Sequence, residues 1–336
     1  IVFGHSNNNP SYNINVRNSL VQGGAGAISF EGSEGQSNNA SINWDSSNLT
    51  SFPYFNDPDN GDYSLAPYSP MLGTGASSVT IDGVTYEIPN TDIIGNARPN
   101  PSSSNPDIGA YESSLSTPIY NPNKYVSTSG SNSSSGVITD PFLTIQHAVD
   151  QSQDNDIINV AVGTYVENID YNGKNLTIIG ADRGTTIIDG NNSGRGAELA
   201  GQSILSTFTI QNGSGNNGGN AVHASGNAIL DNLIITSNSN ALGNGSVMLE
   251  ANTVLKNSLI VNNQDVGVVC NGADATISNV TIASNTGAGI ELKSLGGSNS
   301  HPTLINSIVY GNQDNNNIQF STPSGHSINI SYSLIQ

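Results

Sequence analysis

The apolar residues of this chain fall in short clusters, and the clusters recur. Ile229-Leu230-Asp231-Asn232-Leu233-Ile234-Ile235-Thr236-Ser237-Asn238 aligns without gaps with the segments that begin at Val254, Thr276 and Thr303. In each copy a first Asn (Asn232, Asn257, Asn279, Asn306) is followed six residues later by a second (Asn238, Asn263, Asn285, Asn312). Leu230, Leu255, Ile277 or Leu304 lies just before the first Asn, and Ile235, Ile260, Ile282 or Val309 just after it. A second alternating strand precedes the copies or follows the last: Val222/Ala224, Val247/Leu249, Val268/Cys270, Ile290/Leu292 and Ile318/Phe320. Strand alternation turns the residues between those pairs outward, namely His223, Met248, Val269, Glu291 and Gln319.

These clusters are too short for helices. Their spacings, from Asn232 to Asn257, to Asn279 and to Asn306, are 25, 22 and 27 residues. A coil of that length with two or three strands predicts an all-β, right-handed parallel β-helix, in which stacked coils bury aligned aliphatic residues. A leucine-rich solenoid would need an L-x-x-L-x-L spacing and a helical half-repeat, and neither is present. The two Asn columns are expected to form a structural ladder at sharp bends, each amide bonding its neighbour, because Asn tolerates the left-handed backbone of such bends.

A solenoid needs covered ends. Residues 124–190 read as a starting cap: Asp140-Pro141 suits a helix start, and Phe142, Ile145, Ala148 and Val149 share one helical face. Lys124-Tyr125-Val126-Ser127, Pro141-Phe142-x-Thr144-Ile145-Gln146-x-Ala148, Gly163-Thr164-Tyr165-x-Glu167 and Gly173-Lys174-Asn175-Leu176-Thr177-Ile178-x-Gly180 resemble the opening of pectin-lyase-like right-handed parallel β-helix proteins. Thr91-Asp92-x-x-Gly95-x-x-Arg98-Pro99 and Pro106-Asp107-Ile108-Gly109-Ala110-Tyr111-Glu112 resemble the closing segment of secreted β-helix proteins of Bacteroidota. The resemblance implies the fold with a short capping helix; for activity its motifs are unspecific.

The order is inverted, with the closing segment first. Residues 1–112 are expected to be the last coils and end cap of one β-helix domain, 113–123 a linker, 124–190 the starting cap of the next domain, and 191–336 its coils. Ile1-Val2-Phe3-Gly4 resembles Ile308-Val309-Tyr310-Gly311, and Arg17-Asn18-Ser19-Leu20-Val21-Gln22 resembles Ser331-Tyr332-Ser333-Leu334-Ile335-Gln336. The chain then reads as one period of a tandem array cut in mid-coil, with circular permutation of a single domain as the alternative.

Charge narrows the function classes. With 8 Lys and Arg against 26 Asp and Glu, the net charge of −18 opposes nucleic acids and anionic membranes. No apolar run is long enough to span a membrane as a helix. The single cysteine, Cys270, excludes an internal disulfide and reads as a small buried residue.

Catalytic constellations are thin. Lys256 and Lys293 are the cations best placed for a lyase base, and neither has a repeated acidic partner. Gly289-Ile290-Glu291-Leu292-Lys293 departs from the Arg-Ile-Lys pattern of polygalacturonases by placing Glu where Arg belongs, so Glu291 and Lys293 are assigned to a solvated outer face. His5, His147, His223, His301 and His326 show no metal-binding spacing. Asp57, Asp59 and Asp62, with Asn60 and Gly61, suit oxygen ligation of calcium, although a turn introducing a strand explains them as well.

The expectation is therefore a non-catalytic structural or adhesive module of a tandem-repeat extracellular surface protein or filament. Its expected partners are neighbouring copies of the same repeat, lateral copies through Met248 and Val269, and surface glycans. The alternatives are a polysaccharide-acting lyase or hydrolase on the same scaffold, a glycan-binding module, or a crystal-binding face.

Overall fold

A computed structural model describes residues 2–4, 11–21, 24–31, 39–50, 53–81, 83–215, 218–239, 245–313, 317–321 and 325–336. Ile1 and His5 lie outside them. The chain forms two compact units, residues 1–121 and 122–336.

The second unit is an all-β parallel β-helix with a short capping helix. Its strands stack into three sheets of nine, eight and seven strands, each pairing in parallel with the strand one coil away. At about 4.8 Å per strand, the nine-stranded sheet extends about 40 Å. In the first sheet Ile158, Ile178, Leu205, Leu230, Leu255, Ile277 and Leu304 lie in register and are buried. In the second, Ile188, Ile210, Ile235, Ile260, Ile282 and Val309 do the same. The third contributes Val222, Val247, Val268 and Ile290 in one column and Ala224, Leu249, Cys270 and Leu292 in another. Each fully buried large aliphatic removes enough surface from water to contribute about 1.5–3 kcal/mol.

The two Asn columns have different duties. Asn232, Asn257, Asn279 and Asn306 sit at the bend between the first and second sheets with φ near +50°, in the left-handed region. They point outward: Asn257, Asn279 and Asn306 are exposed. This corrects the expectation that both columns form such a ladder: among the described residues of the outer column, Asn279 alone donates to its neighbour, Asn257 Oδ1, at 3.3 Å. Asn238, Asn263, Asn285 and Asn312 form the buried ladder. The side-chain amides of Asn238, Asn263 and Asn285 donate to the next ladder Asn Oδ1, at 3.0, 2.9 and 2.9 Å, and that of Asn312 donates to Asn317 Oδ1 at 2.8 Å. Each also donates at 3.1 Å to a carbonyl one coil back: Ile210, Ile235, Ile260 and Ile282. Each Oδ1 of Asn263, Asn285 and Asn312 accepts the preceding ladder residue's backbone N–H at 3.1 Å. At this second bend the left-handed backbone falls one residue earlier, on Ser237, Asn262, Ser284 and Gly311, which leaves the Asn free to point inward.

The capping helix is Ile145–Asp150, shorter than the sequence suggested, and its N-cap is Thr144 rather than Asp140. Phe142 instead bridges in parallel to Val126 and is buried. Glu167 accepts the backbone N–H groups of Ile145 and Gln146, both at 2.9 Å. At the other end Lys174 Nζ donates to the carbonyls of Val149 and Asp150 at 2.7 and 3.1 Å. A carboxylate therefore meets the positive end of the helix and an ammonium its negative end. Gln146 pairs with the backbone of Asp170 as a strand would, accepting from its N–H at 2.8 Å and donating to its carbonyl at 3.0 Å. The motif residues that carry the family resemblance thus close the first rung of the third sheet.

In the first unit, Val2–Gly4 pairs in parallel with Ser29–Glu31, and Ser11–Val16 with Asn39–Trp44. Its closing segment is held by a buried polar network. Glu112 accepts from Arg98 Nε at 2.8 Å and from the backbone N–H groups of Asn100 and Asp107. Asp107 accepts from Gly73 N and Ser113 N, and Asp92 from Ile94 N, Asn96 N and Glu112 N. Burial would raise Asp92, but these donors and the Asn96 amide outweigh it and hold the carboxyl below its usual range.

Candidate functional site

Parallel stacking brings chemically capable side chains from distant coils together on the outer face of the third sheet. Strand pairing aligns Asp170, Glu198, His223, Met248, Val269, Glu291 and Gln319 in one outward column. Around His223 this column becomes a charged row. His223 Nδ1 lies 3.4 Å from Glu198 Oε1, and its Nε2 lies 3.4 Å from Glu250 Oε2. The second approach lacks hydrogen-bond geometry, so Nε2 is buried without a hydrogen-bond partner. Arg195 Nη1 pairs with Glu198 Oε2, while its Nε and Nη2 clamp the carbonyls of Gly218 and Gly219 at 2.7–3.1 Å. Asn271 donates to Glu250 Oε1 at 2.9 Å.

The sequence reading placed His223 on this face but missed Glu198, Glu250 and Arg195. The available signal was the register of unequal coils: Glu198 pairs with His223 only when coils of different length are laid over one another. Chemically, the carboxylates of the row are satisfied, while His223 Nε2 is left without a hydrogen bond. Each carboxylate already faces a cation or an amide donor, and Arg195 spends most of its donors on a loop.

Three other sequence assignments change. Met248 and Val269 point outward but are buried, packed with Val266 and Ala288 in a small second cluster over the sheet. They are thus unavailable as lateral contacts. Glu291 is buried instead of solvated; it pairs with Lys293 Nζ at 3.1 Å and accepts from Ser321 Oγ. Lys256 pairs with Asp231 Oδ2 at 3.4 Å.

Asp57 and Asp62 flank the turn of an antiparallel hairpin, Phe55–Asp57 with Asp62–Leu65. Gly61 closes the turn with φ +83°, a conformation that suits glycine. Asp57 Oδ2 accepts from Asn60 Nδ2 at 2.8 Å, and Asp62 Oδ1 from the Ser64 hydroxyl and N–H at 2.5 and 3.0 Å. Those two Ser64 bonds hold the Asp62 carboxyl below its usual range. The Asp59 side chain lies outside the described residues. Among the described residues no group of three or more His, Cys, Asp or Glu is placed to hold a metal ion.

The remaining histidines have local roles. His147 packs edge-on against Phe142 with ring centroids 4.8 Å apart. His326 Nδ1 accepts from Ser300 N at 3.0 Å, and His301 Nδ1 lies 2.9 Å from Ser327 Oγ. Cys270 is wholly buried, and burial pushes its thiol up to about 12.

Comparison with known proteins gives the following. The model of a family described as "Protein of unknown function (DUF1565)" matches residues 128–332. Among solved structures, the chain is similar to a rhamnogalacturonan lyase at 13% identity and TM-score 0.33, over 57% of this chain and 69% of that one. It is also similar to a pectin methylesterase from carrot at 14% identity and TM-score 0.30, over 64% of this chain and 85% of that one. A search of curated proteins finds no match. At such identities the structural likeness speaks to fold alone.

Proposed function

The chain belongs to the DUF1565 family, and from its geometry we propose that it is a structural and adhesive module of an extracellular tandem-repeat surface protein, without catalysis of its own. The observation that carries this reading is the outer face of the third sheet. Across five successive coils the acids and cations of this face are engaged by one another, by the Asn271 amide and by a loop. A glycosidase or lyase instead needs convergent acid and base groups left open to a saccharide.

Repetition within the chain supports the array. The first unit repeats the coil chemistry of the second. Asn18 is left-handed with φ +45°, like Asn306 at +47°. Ser19 Oγ donates back to Arg17 O at 2.8 Å, as Ser258 does to Lys256 O and Ser307 to Ile305 O. The partners we propose are accordingly neighbouring copies of the same repeat, with surface glycans second. No helix among the described residues is long and apolar enough to cross a membrane, in keeping with an exported module. Calcium at Asp57, Asp59 and Asp62 remains part of the proposal.

The test is incubation of the chain with neutral and acidic polysaccharides, with new reducing ends and unsaturated products measured. No turnover is expected; sustained turnover that disappears in a Glu198→Gln or Glu250→Gln variant would overturn the reading. Isothermal titration with calcium, wild type against Asp62→Asn, tests the hairpin separately.

A further inference from the structure

The chain has eight Lys and Arg, and seven have an evident structural partner. Arg98 holds Glu112, Lys124 lies 3.9 Å from Asp156, and Lys174 caps a helix. Arg183 donates to Asn232 at 3.0 Å, while Arg195, Lys256 and Lys293 pair with Glu198, Asp231 and Glu291. Arg17 differs. It is exposed, forms no ion pair within 4.0 Å among the described residues, and makes one long hydrogen bond, Nη1 to Thr80 O at 3.5 Å; its acidic neighbour, Asp45, is held first by Ser47 and only weakly by Arg17.

Arg17 lines a cleft of about 440 Å³ within the first unit. The walls come from three places in the sequence: Leu20 beside the coil bend, Val79 and Ile88 at the hairpin, and Ile108 in the closing segment, with Arg98 at the same cleft. Asp107 also lines it, but its two carboxylate oxygens each accept a backbone N–H, from Gly73 and from Ser113, both at 2.7 Å. The cleft volume lies at the small end of the range for ligand pockets.

We propose that this cleft binds a small carboxylate, with Arg17 taking the carboxylate oxygens and the ring or aliphatic body of the ligand lying against Leu20, Val79, Ile88 and Ile108. A guanidinium fork matches a carboxylate in a bidentate way that no neutral ligand exploits. In a chain of net charge −18 an anion is repelled almost everywhere, so a guanidinium with no close ion pair among the described residues, beside apolar walls, selects a compact monoanion over a polyanion. The proposal is independent of whether the chain belongs to an array.

Titration of the intact chain at low salt tests it, with cyclohexanecarboxylate and glucuronate as probes and methyl glucoside as the neutral control, read by NMR shifts of amides lining the cleft. Binding by at least one acid is expected with a Kd on the order of 1 mM. It should weaken about tenfold in Arg17→Gln and recover partly in Arg17→Lys. Whichever acid binds more tightly identifies the source as an aliphatic or a sugar acid. Ile88→Trp, which fills the cleft from another wall, should abolish binding while circular dichroism stays unchanged. The proposal fails if neither acid shifts the lining amides, if the glucoside binds as tightly as the acids, or if folded Arg17→Gln binds like wild type.

Discussion

Replacing Asn263 with Leu isolates the contribution of the buried ladder, because Leu fills a similar volume and removes only the polar groups. Two partners lose their bonds outright or in large part. The backbone N–H of Asn238 loses its acceptor, Asn263 Oδ1 at 3.1 Å, and the carbonyl of Ile235 loses the Asn263 amide at 3.1 Å. Asn285 Oδ1 loses one of its two donors but keeps the backbone N–H of residue 263. Each buried group left without a partner costs about 1–3 kcal/mol, so the substitution should destabilise the second unit by about 4 kcal/mol. Asn257→Ala, on the outward column, serves as the contrast. It strands no buried group and removes only exposed hydrogen bonds, to Asp231 and from Asn279, so its cost is mainly the left-handed strain of a non-glycine residue, about 1 kcal/mol, and Asn257→Gly should be close to neutral. The assay is guanidinium unfolding of the three variants beside wild type, with amide hydrogen exchange of Asn238 locating the loss. The reasoning is refuted if Asn263→Leu costs less than about 1 kcal/mol, or if Asn257→Ala costs as much as Asn263→Leu.

Three further outcomes follow. Glu167→Gln keeps one acceptor for the capping helix and opposes an amide to the other N–H, costing about 1–2 kcal/mol in thermal or denaturant unfolding. Burial raises the folded Glu167 carboxyl above its ordinary value of 4.5 in spite of the Ile145 and Gln146 bonds. Its share of stability is therefore complete below that value and falls as pH rises through the folded value, so the Gln penalty should be larger near pH 4 than near pH 7; an equal penalty at both would contradict this. Glu112→Ala strands the Arg98 guanidinium and two backbone N–H groups and should destabilise the first unit by about 3–5 kcal/mol, read as faster amide hydrogen exchange at Asn100 and Asp107. Cys270, with its thiol pushed up to about 12 and no exposure, should resist alkylation at pH 8 in the native chain and react fully in guanidinium; rapid native labelling would show that the third sheet opens.

The parts of this fold that were legible in the sequence are those that repeat. The inward columns from Leu230 to Leu304 and from Ile235 to Val309 could be aligned by eye because each coil buries the same position. Which Asn faces inward was not legible. Both columns have the same spacing, and what separates them is whether the left-handed residue is the Asn itself or the one before it. The burial of Met248 and Val269 was hidden for a different reason. Strand alternation says which way a side chain leaves the sheet, but not that Val266 and Ala288 then pack over it. The charged row was the least legible, since Arg195, Glu198, His223 and Glu250 come from three coils and meet only through register. In the cap, the residues of the family motif were visible, but their work in holding Ile145–Asp150 became plain only from partners some twenty residues downstream.

The ladder also governs how such a protein can vary. Each rung returns to the same amide before entering the third sheet, so the arc from Asn238 to Val247 is longer than the arc from Asn263 to Val268, yet Val247 and Val268 remain paired. The pairing of the third sheet thus tolerates arcs of different length. The arcs are therefore where a lineage can acquire new surface at little risk to folding, and where a foreign peptide could be spliced in for display.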